Sequence, residues 1–272
     1  MAIDQNSDFN EQTAFLLKSI EQMRAELAMR ERGPYARYDL VTTPDTIDGA
    51  LMMFHEMMRE HLQVLANDVN ALIRWVAEIK AWAVVLSTCS DYERFFLHTV
   101  QLAPLITSAV SQPYVLKQRF AFCASHTTHQ ANAFVRADWS EEQLPADDRI
   151  GVNTLPPLAK GWTAWPKFEQ ALADIDSADY RERTGQYRSR FQHRIPQRFG
   201  YGHTNIIQRE IKEVPGGREY SYGFGGIEPM QPEDVVDAID AQAAYAIKAL
   251  AAYADLLKEQ FDRLAAAVAP RL

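Results

Sequence analysis

Apolar side chains recur at every third or fourth position over most of this chain, the period of a helix with one buried face. Over residues 8–31 the series is Phe15, Leu16, Ile20, Met23 and Leu27, with Ser7 placed to cap the start and Gly33-Pro34 to stop it. Gly33 to Asp45 reads as a connection, so this first helix is the most peripheral. Thr43-Pro44-Asp45 opens the next, with Thr43 as N-cap and Pro44 in the first turn. Its apolar face runs through Leu51, Phe54, Met58, Leu62, Leu65, Val69, Leu72, Val76 and Ile79 to Leu86. No Gly or Pro interrupts that face, which fits one long helix or two joined near Asn67-Asp68.

Ser90-Asp-Tyr-Glu93 has the capping-box pattern and predicts a helix from Asp91 to about Val110, bent or shortened by Pro104. Ser111-Gln-Pro113 is expected to open another, running to about Phe134. Ser140-Glu-Glu-Gln143 repeats the capping pattern before Pro145 cuts that helix short. Four prolines and two glycines between Leu144 and Pro166 predict a long loop. Trp162 and Trp165 make it a packed loop rather than a free linker. A helix through Phe168, Leu172 and Ile175 follows, then a helical stretch from Tyr180 to about His193 that Pro196 ends.

Asn205 to Val214 alternates, with Ile207, Ile211 and Glu213 on one parity. Pro215-Gly216-Gly217 is a turn signal, and Glu219 to Phe224 is rich in Tyr and Phe, so a β-hairpin is expected over 204–225. Pro232 starts a last long helix with Glu233, Asp234 and Asp237 near its positive end, and its apolar seam runs from Val236 to Leu264. The fold class is therefore mainly α: a helical bundle with long N- and C-terminal helices and a small β-hairpin insertion, read as a single domain over 1–272. No internal repeat is visible.

Composition adds exclusions. The longest apolar run, Ala81 to Leu86, falls far short of the roughly 20 residues that cross a bilayer, so no membrane partner is expected. MAIDQNSDFNEQ does not read as a signal peptide. Cys89 and Cys123 make no disulfide framework and suit a reducing compartment, so the expected location is cytoplasmic.

Charge changes the picture most. The chain has 28 basic and 36 acidic residues, a formal charge of −8. Yet Arg181 to Arg209 holds seven arginines against one acid, Glu182, a local net charge of +6. A basic island in an acidic chain points to an anionic ligand, a nucleic-acid backbone or an acidic surface. Within it lie Arg188 and His193. Phosphodiester cleavage needs a group that moves protons near neutral pH, which histidine supplies, and a fixed cation for the phosphorus oxygens, which the planar guanidinium supplies. Five residues along a helix turn the two side chains about 140° apart. They converge if the helix ends near His193, or if two subunits pool their copies across a two-fold axis.

An Arg, four to six residues and a His, near the end of a late helix in an all-α chain, resembles the HEPN superfamily of helical ribonucleases and nucleotide-binding proteins. The matching residues are Arg188 and His193 within YRSRFQHRIP. The position after the Arg, usually Asn, Asp or His in that superfamily, is Ser189 here. The resemblance implies metal-independent RNA cleavage, with the 2′-hydroxyl attacking the adjacent phosphate. In that reading His193 moves protons, Arg188 stabilises the transition state, and Arg190, Arg194, Arg198 and His203 hold phosphates. It also implies a homodimer and a toxin or defence system with an antitoxin or regulatory partner, with no metal or cofactor.

Two readings from other classes stand beside it. One is a non-catalytic interaction or scaffold protein whose arginine-rich segment contacts an acidic partner or nucleotide. The other is a small-molecule pocket lined by His126, His129 and the arginines. Cys123, His126 and His129 have ligand chemistry, but each step of three residues drifts by about 60° around a helix, which carries the third away from the first. A polar helix face in a bundle is the expected state. His55 and His61 flank Glu56 and Glu60 in a methionine-rich helix that reads as core. GFGG at 223–226 has no following Lys-Ser/Thr and is no phosphate loop.

Overall fold

The computed structural model describes residues 5–30, 34–42, 47 and 49–268. Ser7 does not cap α1, which begins two residues earlier at Gln5; the start expected at Thr43-Pro44-Asp45 and the stop at Gly33 fall outside the described residues. In chain order the elements are α1 (Gln5–Met29), α2 (Gly49–Ser87), α3 (Asp91–Leu97), a π-helical turn (His98–Leu102), α4 (Ala103–Val135), α5 (Leu155–Ala159), α6 (Trp165–Asp174), α7 (Ala178–Arg183), α8 (Tyr187–His193), β1 (Ile207–Val214), β2 (Gly217–Phe224) and α9 (Pro232–Val268). Two 3₁₀ turns, Glu141–Gln143 and Asp147–Arg149, lie between α4 and α5. The fold is mainly α with one two-stranded antiparallel hairpin among the described residues.

The seam from Leu51 to Leu86 forms one helix, and nothing breaks it at Asn67-Asp68. At Ser90 the carboxylate of Glu93 accepts from the backbone N–H at 2.9 Å and from the hydroxyl at 2.7 Å. The side-chain bond, then the backbone bond, hold that carboxyl below its ordinary range. Pro104 does not end the helical run, which continues through α4. Instead the turn before it widens, and Ala103 N–H reaches back five residues to His98 O. A proline cannot donate to the carbonyl four back and crowds it, and a wider turn relieves both problems.

Ser111-Pro113 does not open a helix, because Pro113 lies inside α4. Buried Val110, Leu116 and Phe120 on either side stabilise the continuous helix more than one lost backbone bond costs. The expected continuous helix from Tyr180 to His193 is also corrected. Gly185 and Gln186 take left-handed backbone angles (φ 57° and 56°) and separate α7 from α8. The Gly185 and Gln186 N–H groups turn back to Glu182 O and Arg181 O, closing α7 as a helix end does.

The contacts gather into two compact units, and α2, α4 and α9 contribute a segment to each. Unit 1 comprises residues 1–32, 75–111 and 178–239; unit 2 comprises 33–74, 112–177 and 240–272.

Unit 2 is built around fully buried Tyr253, which packs with Phe168 and Phe120 at ring separations of 5.4 and 6.3 Å. The Tyr253 hydroxyl lies 3.3 Å from Thr127 Oγ1, which itself donates to Cys123 O. Asn132 of α4 fixes the proline-rich segment: its amide donates to Leu158 O at 2.8 Å and its oxygen accepts from Trp162 Nε1 at 3.0 Å. Trp162 and Trp165 are buried. Glu259 of α9 accepts from the N–H groups of Thr163 and Ala164, where α6 begins.

In unit 1, two side chains on and just after α1 tie it down. Gln12 reaches Tyr92 Oη at 3.4 Å, and Arg30 Nη2 donates to Lys80 O at 3.0 Å. No helix among the described residues is long and apolar enough to cross a membrane.

Candidate functional site

The arginine-rich segment lies in unit 1. Its anchor is Tyr187, the first residue of α8. That side chain is buried, its hydroxyl lies 2.9 Å from Thr107 Oγ1 of α4, and its ring packs on Phe199 at 4.7 Å and Phe191 at 5.9 Å. Burial pushes the phenol above its ordinary value. Tyr180 is held the same way, donating to Val110 O at 2.8 Å. Fully burying one such ring contributes about 2 kcal/mol. Two tyrosines thus fasten α7 and α8 while their polar faces stay outward.

Beyond α8 the chain is extended. Gly200 N–H donates to Met230 O and Met230 N–H to Arg198 O, both at 2.8 Å. Thr204 and Ile227 exchange both backbone bonds, at 3.0 and 2.8 Å. These bonds fix residues 198–204 without calling on an arginine side chain.

His193 is the last residue of α8 and is exposed. Arg188, one residue into the helix, is half-buried and is not free. Arg190 is half-buried; Arg194 and Arg198 are exposed. Among the described residues Arg183, Arg190, Arg194 and Arg198 have no acidic partner. His203 differs: its Nε2 lies 3.1 Å from Glu228 Oε1. Phe191 and Ile195, interleaved with the arginines, are 53% and 63% exposed. The segment therefore presents unneutralised guanidinium groups beside apolar surface.

A second feature of unit 1 escaped sequence reading. A cavity of about 900 Å³ is lined by residues that include Arg30, Arg94, His98, Tyr201, Glu233 and Asp237. Ile79, Leu86 and Val236 contribute apolar wall. His98 is 94% buried in the π-helical turn, and its Nε2 has no hydrogen-bond partner. Burial lowers its pKa, which keeps the imidazole neutral. Tyr201 meets it edge-on at 5.1 Å. Gly200, at φ 67°, leaves room for the ring: a Cβ there would stand 2.8 Å from Nε2. Arg94 is occupied, donating to Leu86 O and Cys89 O past the end of α2. Arg30 Nε is buried without a partner, and no ion pair joins Arg30 to Glu233 or Asp237. Pro104 was the one legible sign, since a proline inside a helical run forecasts irregular backbone just before it.

The Cys123, His126 and His129 set belongs to unit 2, and its His129 is held by structural partners. Trp139 Nε1 donates to His129 Nδ1 at 3.1 Å, so Nε2 carries the proton and donates to Glu141 at 2.8 Å. His126 Nε2 lies 3.3 Å from Asp147, at an angle that makes no hydrogen bond. Cys123 is buried, and burial pushes its thiol up to about 12. Among the described residues no three His, Cys, Asp or Glu side chains are grouped to hold a metal ion.

Comparison with protein-family models, with curated proteins and with solved structures found no match for this chain.

Proposed function

We propose that the arginine-rich segment of unit 1 binds single-stranded RNA, and that Arg188 and His193 cleave it without metal. The observation that carries this reading is that Arg183, Arg190, Arg194 and Arg198 have no acidic partner among the described residues. In a chain with eight more acids than bases, a solvated face without function has ample counter-charge at hand. Four guanidinium groups suit four phosphates, and exposed Phe191 and Ile195 offer apolar surface for unstacked bases. Residue by residue, His193 takes the proton of the 2′-hydroxyl as that oxygen bonds to phosphorus. Arg188 balances the charge on the phosphorus oxygens. The bond to the 5′-oxygen breaks, that oxygen takes up a proton, and a 2′,3′-cyclic phosphate remains. The HEPN resemblance also implies a homodimer and control by an antitoxin-like partner, and the two free cysteines suit a cytoplasmic location. His203 serves less well as a phosphate holder than the arginines, because Glu228 already engages it.

The test is incubation of single-stranded RNA with wild type, His193→Ala and Arg188→Ala in excess EDTA. Cleavage by wild type alone, yielding cyclic-phosphate ends, is the expected result. Intact RNA in every lane removes the catalytic half of the proposal and leaves binding to be judged separately.

One observation favours a second reading, a small-molecule site in the unit 1 cavity. The unpartnered His98 Nε2, beside opposite charges that do not pair with one another, suits an amphipathic ligand carrying both charges. Native mass spectrometry of protein purified from cells tests it. A bound small molecule in wild type, absent from His98→Leu, supports it; identical masses without added ligand in both remove it.

A further inference from the structure

The hairpin offers a self-complementary edge. In register, Ile207 faces Phe224, Arg209 faces Tyr222, Ile211 faces Tyr220 and Glu213 faces Arg218. These eight side chains share one face of the hairpin. On it Ile207, Ile211, Tyr220, Tyr222 and Phe224 are between 51% and 91% exposed. No other strand joins the pair among the described residues, and a lone two-stranded hairpin is marginal in water. The edge strand β1 carries Arg209, Glu210, Lys212 and Glu213, so it pairs only where opposite charges meet in register.

Which backbone groups face the free edge follows from the bonds at its base. Thr204 exchanges both backbone bonds with Ile227, and Gly225 N–H donates to Ile206 O. Even-numbered residues of this strand therefore point their N–H and C=O toward β2. The odd-numbered ones, Arg209, Ile211 and Glu213, point theirs away from it.

We propose that β1 pairs antiparallel with β1 of a second copy, about a two-fold axis at Ile211. In this register Ile211 exchanges both backbone bonds with Ile211 of the second copy. Arg209 and Glu213 do the same with each other's counterparts. Glu210 and Lys212 then meet as the closely spaced pair between those bonds, where side chains approach most nearly. By symmetry both oppositely charged contacts, Arg209 with Glu213 and Glu210 with Lys212, occur twice.

The neighbouring registers fail. Centring on Glu210 sets that carboxylate against itself, centring on Lys212 opposes two ammonium groups, and centring on Arg209 opposes two guanidinium groups. Within one copy Glu213 already meets Arg218 at 2.7 Å, Lys212 lies 4.0 Å from Glu210, and Arg209 stacks on Tyr220 at 4.3 Å. All are exposed contacts that rearrange at little cost. The partner is thus a second copy of this chain, joined through one four-stranded sheet. The interface does not depend on RNA binding.

Sedimentation velocity of the full chain across a concentration series tests this by charge exchange. Wild type is expected to dimerise. Glu210→Lys and Lys212→Glu each place like charges across the axis and are expected to weaken the dimer at least tenfold. The double variant, Glu210→Lys with Lys212→Glu, restores opposite charges and is expected to recover the wild-type association. Circular dichroism of each variant separates weakened pairing from lost folding, and Ile211→Pro, which removes an outward N–H, is expected to yield folded monomer. A wild-type monomer at the highest concentration, a dimer indifferent to the single reversals, or a double variant without recovery would each overturn the proposal.

Discussion

Two buried histidines, one in each unit, differ in kind. His129, in unit 2, donates through one ring nitrogen and accepts through the other, from Trp139 and to Glu141. His98, in unit 1, is as deeply buried and its Nε2 meets no partner. The contrast belongs to these two sites and their neighbours, since unit 2 also keeps Ser125 Oγ, His126 Nε2, Gln130 Oε1 and Gln260 Oε1 buried without a partner. In unit 2, Asn132 spends both amide atoms on the proline-rich segment, and Glu259 closes the start of α6. In unit 1, Arg30 Nε is unpartnered, and Arg183, Arg190, Arg194 and Arg198 have no acidic partner among the described residues. A satisfied polar group is part of the scaffold, since its removal orphans a partner. A buried unsatisfied one, such as His98 Nε2, already carries the desolvation cost in the free protein, and a ligand would offset it, whereas exposed arginines stay hydrated.

The contrast breaks most sharply at Asn132. Asn132→Ala leaves the indole N–H of Trp162 and the carbonyl of Leu158 unsatisfied, and unfolding in urea should show a loss of about 4 kcal/mol. A loss below about 1 kcal/mol would mean those bonds are not structural.

His61 of unit 2 gives a pH test. Burial, and then the charge of nearby His126, bring its pKa from 6.5 down to about 4. Between those values the unfolded chain binds more protons than the folded one. The stabilisation is complete above pH 6.5 and diminishes as pH falls, by about 3 kcal/mol on reaching pH 4. His61→Gln should flatten that slope in unfolding curves from pH 7 to pH 4, and an unchanged slope would assign the loss to other groups.

His98→Leu is expected to do little to stability, within about 1 kcal/mol of wild type in either direction, because it removes an unpaired polar atom and keeps the volume. A thermal unfolding series that instead showed a large loss would make His98 a scaffold residue like His129.

The long apolar seams were legible because each runs for many turns without Gly or Pro, and they became α2 and α9. The hairpin was legible from its turn residues and its parity. The break between α7 and α8 was not, since half of it rests on Gln186, a residue with no turn signature, held left-handed by bonds to α7. Pro113 misled because burial on both sides outweighed its local preference. At the site, the arginine density could be read from sequence, but the pairing state of each arginine could not. The cavity was invisible for a simpler reason: Arg30, His98, Tyr201 and Glu233 are far apart in the chain and form no motif.

The smallest expected change in stability belongs to the segment on which the account rests. Arg183→Glu, Arg194→Glu and Arg198→Glu together should shift unfolding by less than about 0.5 kcal/mol, because these side chains have no acidic partner among the described residues to lose. Their effect should appear in fluorescence anisotropy of a short labelled single-stranded RNA titrated at several salt concentrations. The account predicts salt-dependent binding by wild type. The triple variant should bind far more weakly, with a log–log salt slope shallower by about 2, as expected for three lost phosphate contacts. Equal affinity and equal slope in the two proteins, or no binding by wild type at low salt, would contradict it.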